Sequence, residues 1–395
     1  MVKNFEEANA YVMSFIPKVD EIKFAGQFGL DRQRYLLHQL GDPQDQFPCV
    51  HITGTSGKSS TSYLISSILK EAGYTVGLHI SPHLVSPTER IQINNTPISD
   101  SEFVELVNVV IPYVESMKKS RFIKPTYFEI LVTMTFLAFV KHKIDIAVVE
   151  VGLGGRFDGT NVVMRTLVSV ITNVGLDHTQ VLGDTVEKII DDKKEIIKPG
   201  CVVVSGATQP SVQAIIEKKC KETNVPVEFL TMKKRSHIKL GLLGDFQQQN
   251  AVLATMAVYE LTKKGYVISD EHICYALVHA QFAGRMEVVR SKPLVVLDGA
   301  HNEDKMAALV STFPHCFSYK KLVVILALKK DKDAAKILPY ITSIADKIIF
   351  TRFTKETDMG YQLCTDPEML ARLVQIKETS VDCDPIHAFK DVVAH

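Results

Sequence analysis

The sequence predicts an α/β protein of two domains: a larger one on a mostly parallel sheet covered by helices, then a smaller α/β one. Three observations predict it. Strand-like and helix-like segments alternate through a chain of 395 residues, and single cores stop growing at roughly 250–300 residues. The strand candidates are continuous apolar runs rather than alternating ones, as burial on both faces requires. The first of these strands also runs directly into a Gly/Ser-rich turn and an amphipathic helix.

That first strand is Cys49–Thr53, and Pro48 before it suits a strand start, where no ladder N–H is needed. Gly54-Thr55-Ser56-Gly57-Lys58-Ser59-Ser60 follows. Glycines let the backbone curl so that its N–H groups point at a phosphate, and the helix behind adds its positive dipole end. Lys58 supplies a point charge for the β- and γ-phosphates, and a hydroxyl from Ser59 or Ser60 can hold Mg²⁺. The usual P-loop would have a glycine where Ile52 stands, so this is the shorter Gly-Thr-x-Gly-Lys form.

A helix over Ser60–Ala72 carries Tyr63, Leu64, Ile65, Ile68 and Leu69 on one face. Further strands are predicted at Thr75–Ile80, Ile144–Val151, Leu167–Val174, Val202–Ser205 and Val227–Leu230. The helices among them are Asp100–Lys118, Tyr127–His142, Val186–Ile197 and Ser211–Thr223, with a helical stretch Gln247–Lys264 after them. Gly284–Pro293 reads as a hinge. Beyond it come strand Leu294–Leu297, helix Asp304–Phe313, strand Leu322–Ala327, helix Ala334–Ala345, strand Lys347–Phe350, helix Glu368–Ile376 and a last helix His387–His395. A ligand of such sheets sits outside the carboxyl ends of the strands, here between the two domains.

Two strand ends carry titratable groups. Glu150 closes a largely apolar strand, and a buried carboxylate must be paired or bound to a metal. A salt bridge to Arg156 is one reading. A Mg²⁺ ligand is the one favoured by the glycine-rich loop Gly152-Leu153-Gly154-Gly155 directly after it. His178 falls at the next strand end, although spacing alone argues little for Mg²⁺, which prefers oxygen. By charge alone, Asp191-Asp192-Lys193-Lys194-Glu195 is a solvated helix face.

Composition narrows the class. Hydrophobic content of 46% and charged content of 23% are those of an ordinary globular protein. Lys+Arg and Asp+Glu are equal at 45 each, which gives no argument for nucleic acid or anionic membrane. No apolar run reaches the ~18 residues of a membrane span, and the first residues lack a signal core. Seven cysteines without a Cys-x-x-Cys read as buried thiols in a reducing cytoplasm.

Together these residues resemble the folylpolyglutamate synthase/dihydrofolate synthase family of Mur-type ATP-dependent amide ligases. The resemblance runs from about Asn4 to the end of the chain, through motifs in the family's order. They are Gly26-Gln27-Phe28-Gly29-Leu30-Asp31-Arg32, Leu40-Gly41-Asp42-Pro43, the turn at Gly54–Ser60, Ser81-Pro82-His83-Leu84 and Thr88-Glu89-Arg90-Ile91. Phe128-Glu129, Glu150 to Asn161, Leu176-Asp177-His178, Gly244 to Ala251, Gly284-Arg285-Met286-Glu287 and Asp298-Gly299-Ala300-His301-Asn302 follow.

The resemblance implies a P-loop domain over 1–288, like the central domain of Mur ligases, and a Rossmann-like glutamate-ligase domain over 289–395 that lacks the usual last strand and its serine. It implies that Lys58 and the loop residues Gly54, Thr55, Gly57, Ser59 and Ser60 hold ATP. Ser60 and Glu150 would ligate one Mg²⁺, and His178 and Glu150 a second. A lysine carbamylated by CO₂ would be Lys193, with Lys194-Glu195 where the family has Ala-Gly. Asn250 would meet adenine, Arg285 phosphate, Asp298 ribose, and His301 the γ-phosphate or incoming glutamate. Ser81, His83, Arg90 and Phe128 would lie on the substrate side.

The implied reaction adds L-glutamate to a folate or dihydropteroate carboxylate through an acyl phosphate, with Lys58, His178, Lys193 and His301 as catalytic residues. A cytoplasmic monomer with no nucleic-acid or membrane partner is expected. Two other readings stay open: a ligase of the same type on a non-folate carboxylate, and a nucleotide-binding remnant without ligase activity.

Overall fold

The computed structural model describes residues 1–17, 25–231, 239–353, 355–357, 360–362, 364–374 and 378–394. They form two compact units, one holding most of the chain up to Phe282 and the other Leu243–Phe246 with the chain from Ala283 on.

The first unit is built on eight strands: β1 (Cys49–Thr53), β2 (Val76–His79), β3 (Ile91–Ile93), β4 (Thr96–Pro97), β5 (Ile146–Glu150), β6 (Thr166–Ile171), β7 (Val202–Ser205) and β8 (Val227–Phe229). Their order is β4-β3-β2-β5-β1-β6-β7-β8. β1 lies at the centre, parallel to β5 on one side and β6 on the other, and all five of its residues are buried. Among the described residues ten α-helices accompany the sheet: α1 (Phe5–Met13), α2 (Gln27–Gln39), α3 (Lys58–Glu71), α4 (Asp100–Met117), α5 (Tyr127–Lys141), α6 (Thr179–Leu182), α7 (Val186–Lys193), α8 (Pro210–Thr223), α9 (Asp245–Thr262) and α10 (Asp270–Val278).

Val50 and Ile52 of β1 join Leu64 and Ile68 of α3 and Ala254 and Leu261 of α9 in one core. Cys49 of β1 and Val149 of β5 join Phe136 and Phe139 of α5 in another. Beyond it, α1, α2, α4 and α5 bury a further layer that includes Ala8, Leu36, Val107 and Leu131. Apolar strand residues are thus covered on both faces, as the uninterrupted runs require.

Differences from the sequence expectation have local causes. β3 and β4 are antiparallel additions, turned by Asn94 and Asn95, which both adopt left-handed backbone (φ 52° and 60°). Helices α1, α2, α6 and α10 lie outside the predicted elements. The predicted helix to Ile197 ends as α-helix at Lys193 and continues as a 3₁₀ turn, Lys194–Ile196.

In the second unit the predicted hinge Gly284–Pro293 is largely a strand. β9 (Glu287–Ser291) pairs antiparallel with β10 (Leu294–Leu297), so β10 lies outside the parallel sheet. That sheet follows α11 (Glu303–Cys316). It comprises β11 (Val323–Leu326), then, after α12 (Ala334–Thr342), β12 (Lys347–Phe350). The antiparallel pair β13 (Lys355–Thr357) and β14 (Gly360–Gln362) and helix α13 (Pro367–Arg372) precede its third strand, β15 (Glu378–Val381), which α14 (Pro385–Ala394) follows. Met306, Ile337, Ile348, Phe350 and Leu370 form its core. Among the described residues no helix is long and apolar enough to cross a membrane. All seven cysteines are free thiols, but only Cys49, Cys201 and Cys220 are buried; Cys274 and Cys383 are exposed, against the expectation of buried thiols.

Candidate active site

The turn after β1 is held from beneath by the chain leaving β6. Thr55 N–H donates to the Asn173 carbonyl (3.0 Å), Ser56 N–H to Asn173 Oδ1 (2.7 Å), and Thr172 Oγ1 donates to the Ser56 carbonyl (2.6 Å). Thr55 Oγ1 both donates to the Gly175 carbonyl and accepts from its N–H, each at 3.0 Å. β6 therefore ends at Ile171, earlier than its apolar run, because residues 172–175 turn their polar groups to the loop.

The approach is too close for side chains at two glycines. A Cβ on Gly54 would lie 1.9 Å from Thr172 Oγ1, and one on Gly57 would lie 2.3 Å from Asn250 Oδ1. Gly57 also has φ +81° and precedes the first turn of α3, where Lys58, Ser59 and Ser60 begin the helix. Asn250, on α9, is thus part of the cradle wall.

Behind the cradle stands Glu150 at the end of β5, 1% exposed. Its Oε1 accepts from Ser59 Oγ (2.9 Å) and its Oε2 from Ser81 N–H (3.2 Å). Of the two serines left open by the sequence, Ser59 carries the hydroxyl on the carboxylate; Ser60 is buried. Arg156 engages Asp191 (2.9 Å) and Glu195 (3.7 Å) instead of serving as the salt-bridge partner of Glu150 that one reading gave it.

Lys193 is not on a solvated face. It is 4% exposed, and its Nζ donates to the Gly54 carbonyl (3.1 Å), which also accepts from Lys58 Nζ (3.1 Å). Burial, and after it the Lys58 charge, push the Lys193 amine down to about 7. Glycines explain how the helix comes so near: a Cβ on Gly154 would meet Asp192 Oδ1 at 2.3 Å, and one on Gly155 would meet the Lys193 carbonyl at 2.8 Å. The neighbours Lys194 and Glu195 turn away to Asp191 and Lys219 respectively.

His178 caps α6 in left-handed backbone (φ 50°) and is exposed. Among the described residues no three His, Cys, Asp or Glu side chains gather as a metal set. The Glu150 carboxylate and the Ser59 hydroxyl are hard oxygen donors of the kind that Mg²⁺ takes.

Arg90 is fully buried, donates from Nε to His83 Nδ1 (2.9 Å) and lies 5.6 Å from the Tyr127 ring centroid. Phe128 packs so tightly on Gly152 that a Cβ there would lie 2.6 Å from the ring, and it meets His79 edge-on at 6.1 Å.

Sequence reasoning missed the relay below that ring. His51 Nε2 lies 2.9 Å from Thr160 Oγ1, which donates to Asp158 Oδ1 (2.5 Å); Asp158 Oδ2 accepts from Leu153 N–H (2.9 Å) in the glycine-rich loop. Burial pushes His51 down to about 3, keeping it neutral in the core, and raises the Asp158 carboxyl. A histidine inside an otherwise apolar strand was the available signal.

In the second unit Asp298 accepts from Met286 N–H (2.9 Å) and Ala300 N–H (2.7 Å), and burial raises its carboxyl above the ordinary range. A Cβ on Gly299 would touch Arg285 Nη1 at 3.0 Å, and Arg285 donates to the Gly284 carbonyl. His301 Nδ1 lies 2.7 Å from the Gly299 carbonyl and Nε2 lies 3.2 Å from Lys305 Nζ. Arg285, Asp298 and His301 are thus gathered around one short loop.

Residues 52–258 match the Mur ligase middle domain and residues 284–394 the Mur ligase, glutamate ligase domain. The dihydrofolate synthase/folylpolyglutamate synthase of Bacillus subtilis (strain 168) is 38% identical over 356 residues, covering 84% of this chain and 83% of the relative. The folylpolyglutamate synthase of Lacticaseibacillus casei is 32% identical over 366 residues, covering 86% and 83%. Among solved structures, Mycobacterium tuberculosis folylpolyglutamate synthase complexed with ADP has a TM-score of 0.87 at 28% identity, over 99% of this chain and 91% of that one. An FPGS-AMPPCP-folate complex has a TM-score of 0.80 at 29% identity, over 99% of each.

Proposed function

The chain belongs to the folylpolyglutamate synthase/dihydrofolate synthase family of Mur ligases, and from that premise we propose how its residues divide the work. It is an ATP-dependent ligase that joins L-glutamate to a folate-type carboxylate. A carboxylate and an amine at neutral pH form a salt rather than an amide. Transfer of the γ-phosphoryl of ATP to the carboxylate oxygen gives an acyl phosphate and ADP. The glutamate amine then attacks the acyl carbon, and the tetrahedral intermediate expels phosphate.

The observation that carries the assignment is the convergence of Lys58, Lys193, Ser59 and Glu150 on one side of the Gly54–Gly57 turn. Lys58 and the loop N–H groups hold the β- and γ-phosphates against the positive end of α3. Asn250 borders the purine side of the cradle. Glu150 would hold one Mg²⁺ with the Ser59 hydroxyl, in place of the Ser60 that the resemblance implied, and a second with His178; the carboxylate and hydroxyl oxygens fit a hard cation. Mg²⁺, when bound, neutralises charge developing on the transferring phosphoryl oxygens.

Lys193 has the environment that carbamylation needs, because only an unprotonated amine adds to CO₂. An N–C bond forms as one C–O π bond of CO₂ opens, one proton leaves, and the neutral amine becomes an anion beside the metal ligands. Ser81, His83, Arg90 and Phe128 take the carboxylate substrate. Arg285, Asp298 and His301 act from the second domain on phosphate, ribose and incoming glutamate. The proposed division of the chain is 1–288 for ATP binding and 289–395 for glutamate ligation, in a protein acting as a monomer in the cytoplasm.

A phosphate-release assay with ATP, Mg²⁺ and glutamate tests this, comparing dihydropteroate with tetrahydrofolate. Glutamate-dependent release with at least one of them is expected. No release with either overturns the folate assignment.

A further inference from the structure

The carboxylate of Glu89 lies outside every role assigned above, yet it organises a whole loop. Leu84 N–H donates to its Oε2 (2.7 Å), and the Val85 and Ser86 N–H groups donate to its Oε1 (2.9 and 2.7 Å). Ser86 completes a capping box with it, and Gln92 Nε2 donates to the Glu89 carbonyl (2.8 Å). Burial works against its ionisation, but the three N–H bonds and nearby His83 outweigh it, so the carboxyl lies below its ordinary range.

The loop begins just past β2, whose last residue, His79, is in register with Val149, next to Glu150. Its first residue, Ser81, gives its N–H to Glu150 Oε2, and buried Arg90 donates to His83. With their N–H groups turned to Glu89, Leu84 and Val85 present their apolar side chains outward, 48% and 86% exposed. An apolar edge on the loop that contacts Glu150 suits an aromatic substrate that ends in a carboxylate.

We propose that Glu89 is a positioning residue, which preshapes the 81–86 loop so that Ser81 meets Glu150 while Leu84 and Val85 face the ring system of the carboxylate substrate. The assignment rests on the ligase reading and deepens it on the substrate side. Glu89→Gln replaces one acceptor oxygen with a donor that opposes the loop N–H groups. It should raise KM for tetrahydrofolate or dihydropteroate by about tenfold, as loss of charge-assisted bonds does, while KM for ATP stays within about twofold. Hydrogen exchange at the amides of Leu84, Val85 and Ser86 should accelerate in the same variant without a change in Tm, and Glu89→Asp, which keeps the charge, should recover part of the loss. Unchanged KM values and exchange in Glu89→Gln overturn the proposal, and so does a joint rise in both KM values with a fall in Tm. The wild-type rate separates the two readings: wild-type turnover with a wild-type-like Glu89→Gln removes only the role of Glu89, whereas a wild-type protein that releases no phosphate with either folate overturns both.

Discussion

At Gly57 the space for a methyl group is already taken by the Asn250 amide, and the backbone is left-handed as well. Gly57→Ala should therefore weaken ATP binding by at least about tenfold, measured by nucleotide titration. Gly200→Ala, equally left-handed but with nothing near its Cβ, should cost about 1 kcal/mol of stability and no affinity. The two serines give a sharper contrast. Ser59→Ala should raise the Mg²⁺ concentration needed for half-maximal turnover several-fold, whereas Ser60→Ala should not, because Ser59 carries the hydroxyl on Glu150. Lys193 makes stability depend on pH. Its amine is held down to about 7 in the folded chain, against ~10.4 when unfolded. Between those values only the unfolded chain keeps the proton, so stability rises with pH through that window and is lowest below it. Lys193→Met should flatten this slope in denaturant titrations at pH 6.5 to 9.5 or so.

Among the elements, α2 and α5 are joined by an ion pair in which Arg32 Nε and Nη2 bind Glu129 Oε2 and Oε1 at 2.7 and 2.8 Å. Glu129 also accepts from Thr126 N–H at the start of α5, so one carboxylate serves a cap and a bridge. Both side chains are nearly buried, at 12% and 7% exposure. Glu129→Ala leaves a buried guanidinium unpaired and should cost about 3 kcal/mol by chemical denaturation. The central strands were legible because double-sided burial writes itself as apolar runs: Cys49–Thr53 and Val202–Ser205 fall where those runs do. β3, β4 and β9 were not. Short antiparallel strands depend on pairing partners and on turns such as Asn94-Asn95, which local apolar pattern does not encode. Lys193 was misread by charge pattern for a related reason. Its burial comes from the close approach of Gly154 and Gly155 to α7, a contact between segments far apart in sequence; only the family resemblance pointed to it.

For the whole molecule, the nucleotide cradle with Glu150 and Lys193 belongs to the first unit, and Arg285, Asp298 and His301 to the second. Mg²⁺ and ADP together should raise Tm of the wild type, since a ligand at 100 times its Kd stabilises by about 2.7 kcal/mol. Lys58→Ala should lose that shift and its turnover while retaining its own Tm. The central claim is that the γ-phosphoryl passes to a carboxylate before the amide forms. It is tested most directly with a folate substrate whose reacting carboxylate is enriched in ¹⁸O, by mass analysis of the phosphate released during glutamate addition. An acyl phosphate transfers one labelled oxygen to each phosphate. Phosphate released without ¹⁸O would contradict the account.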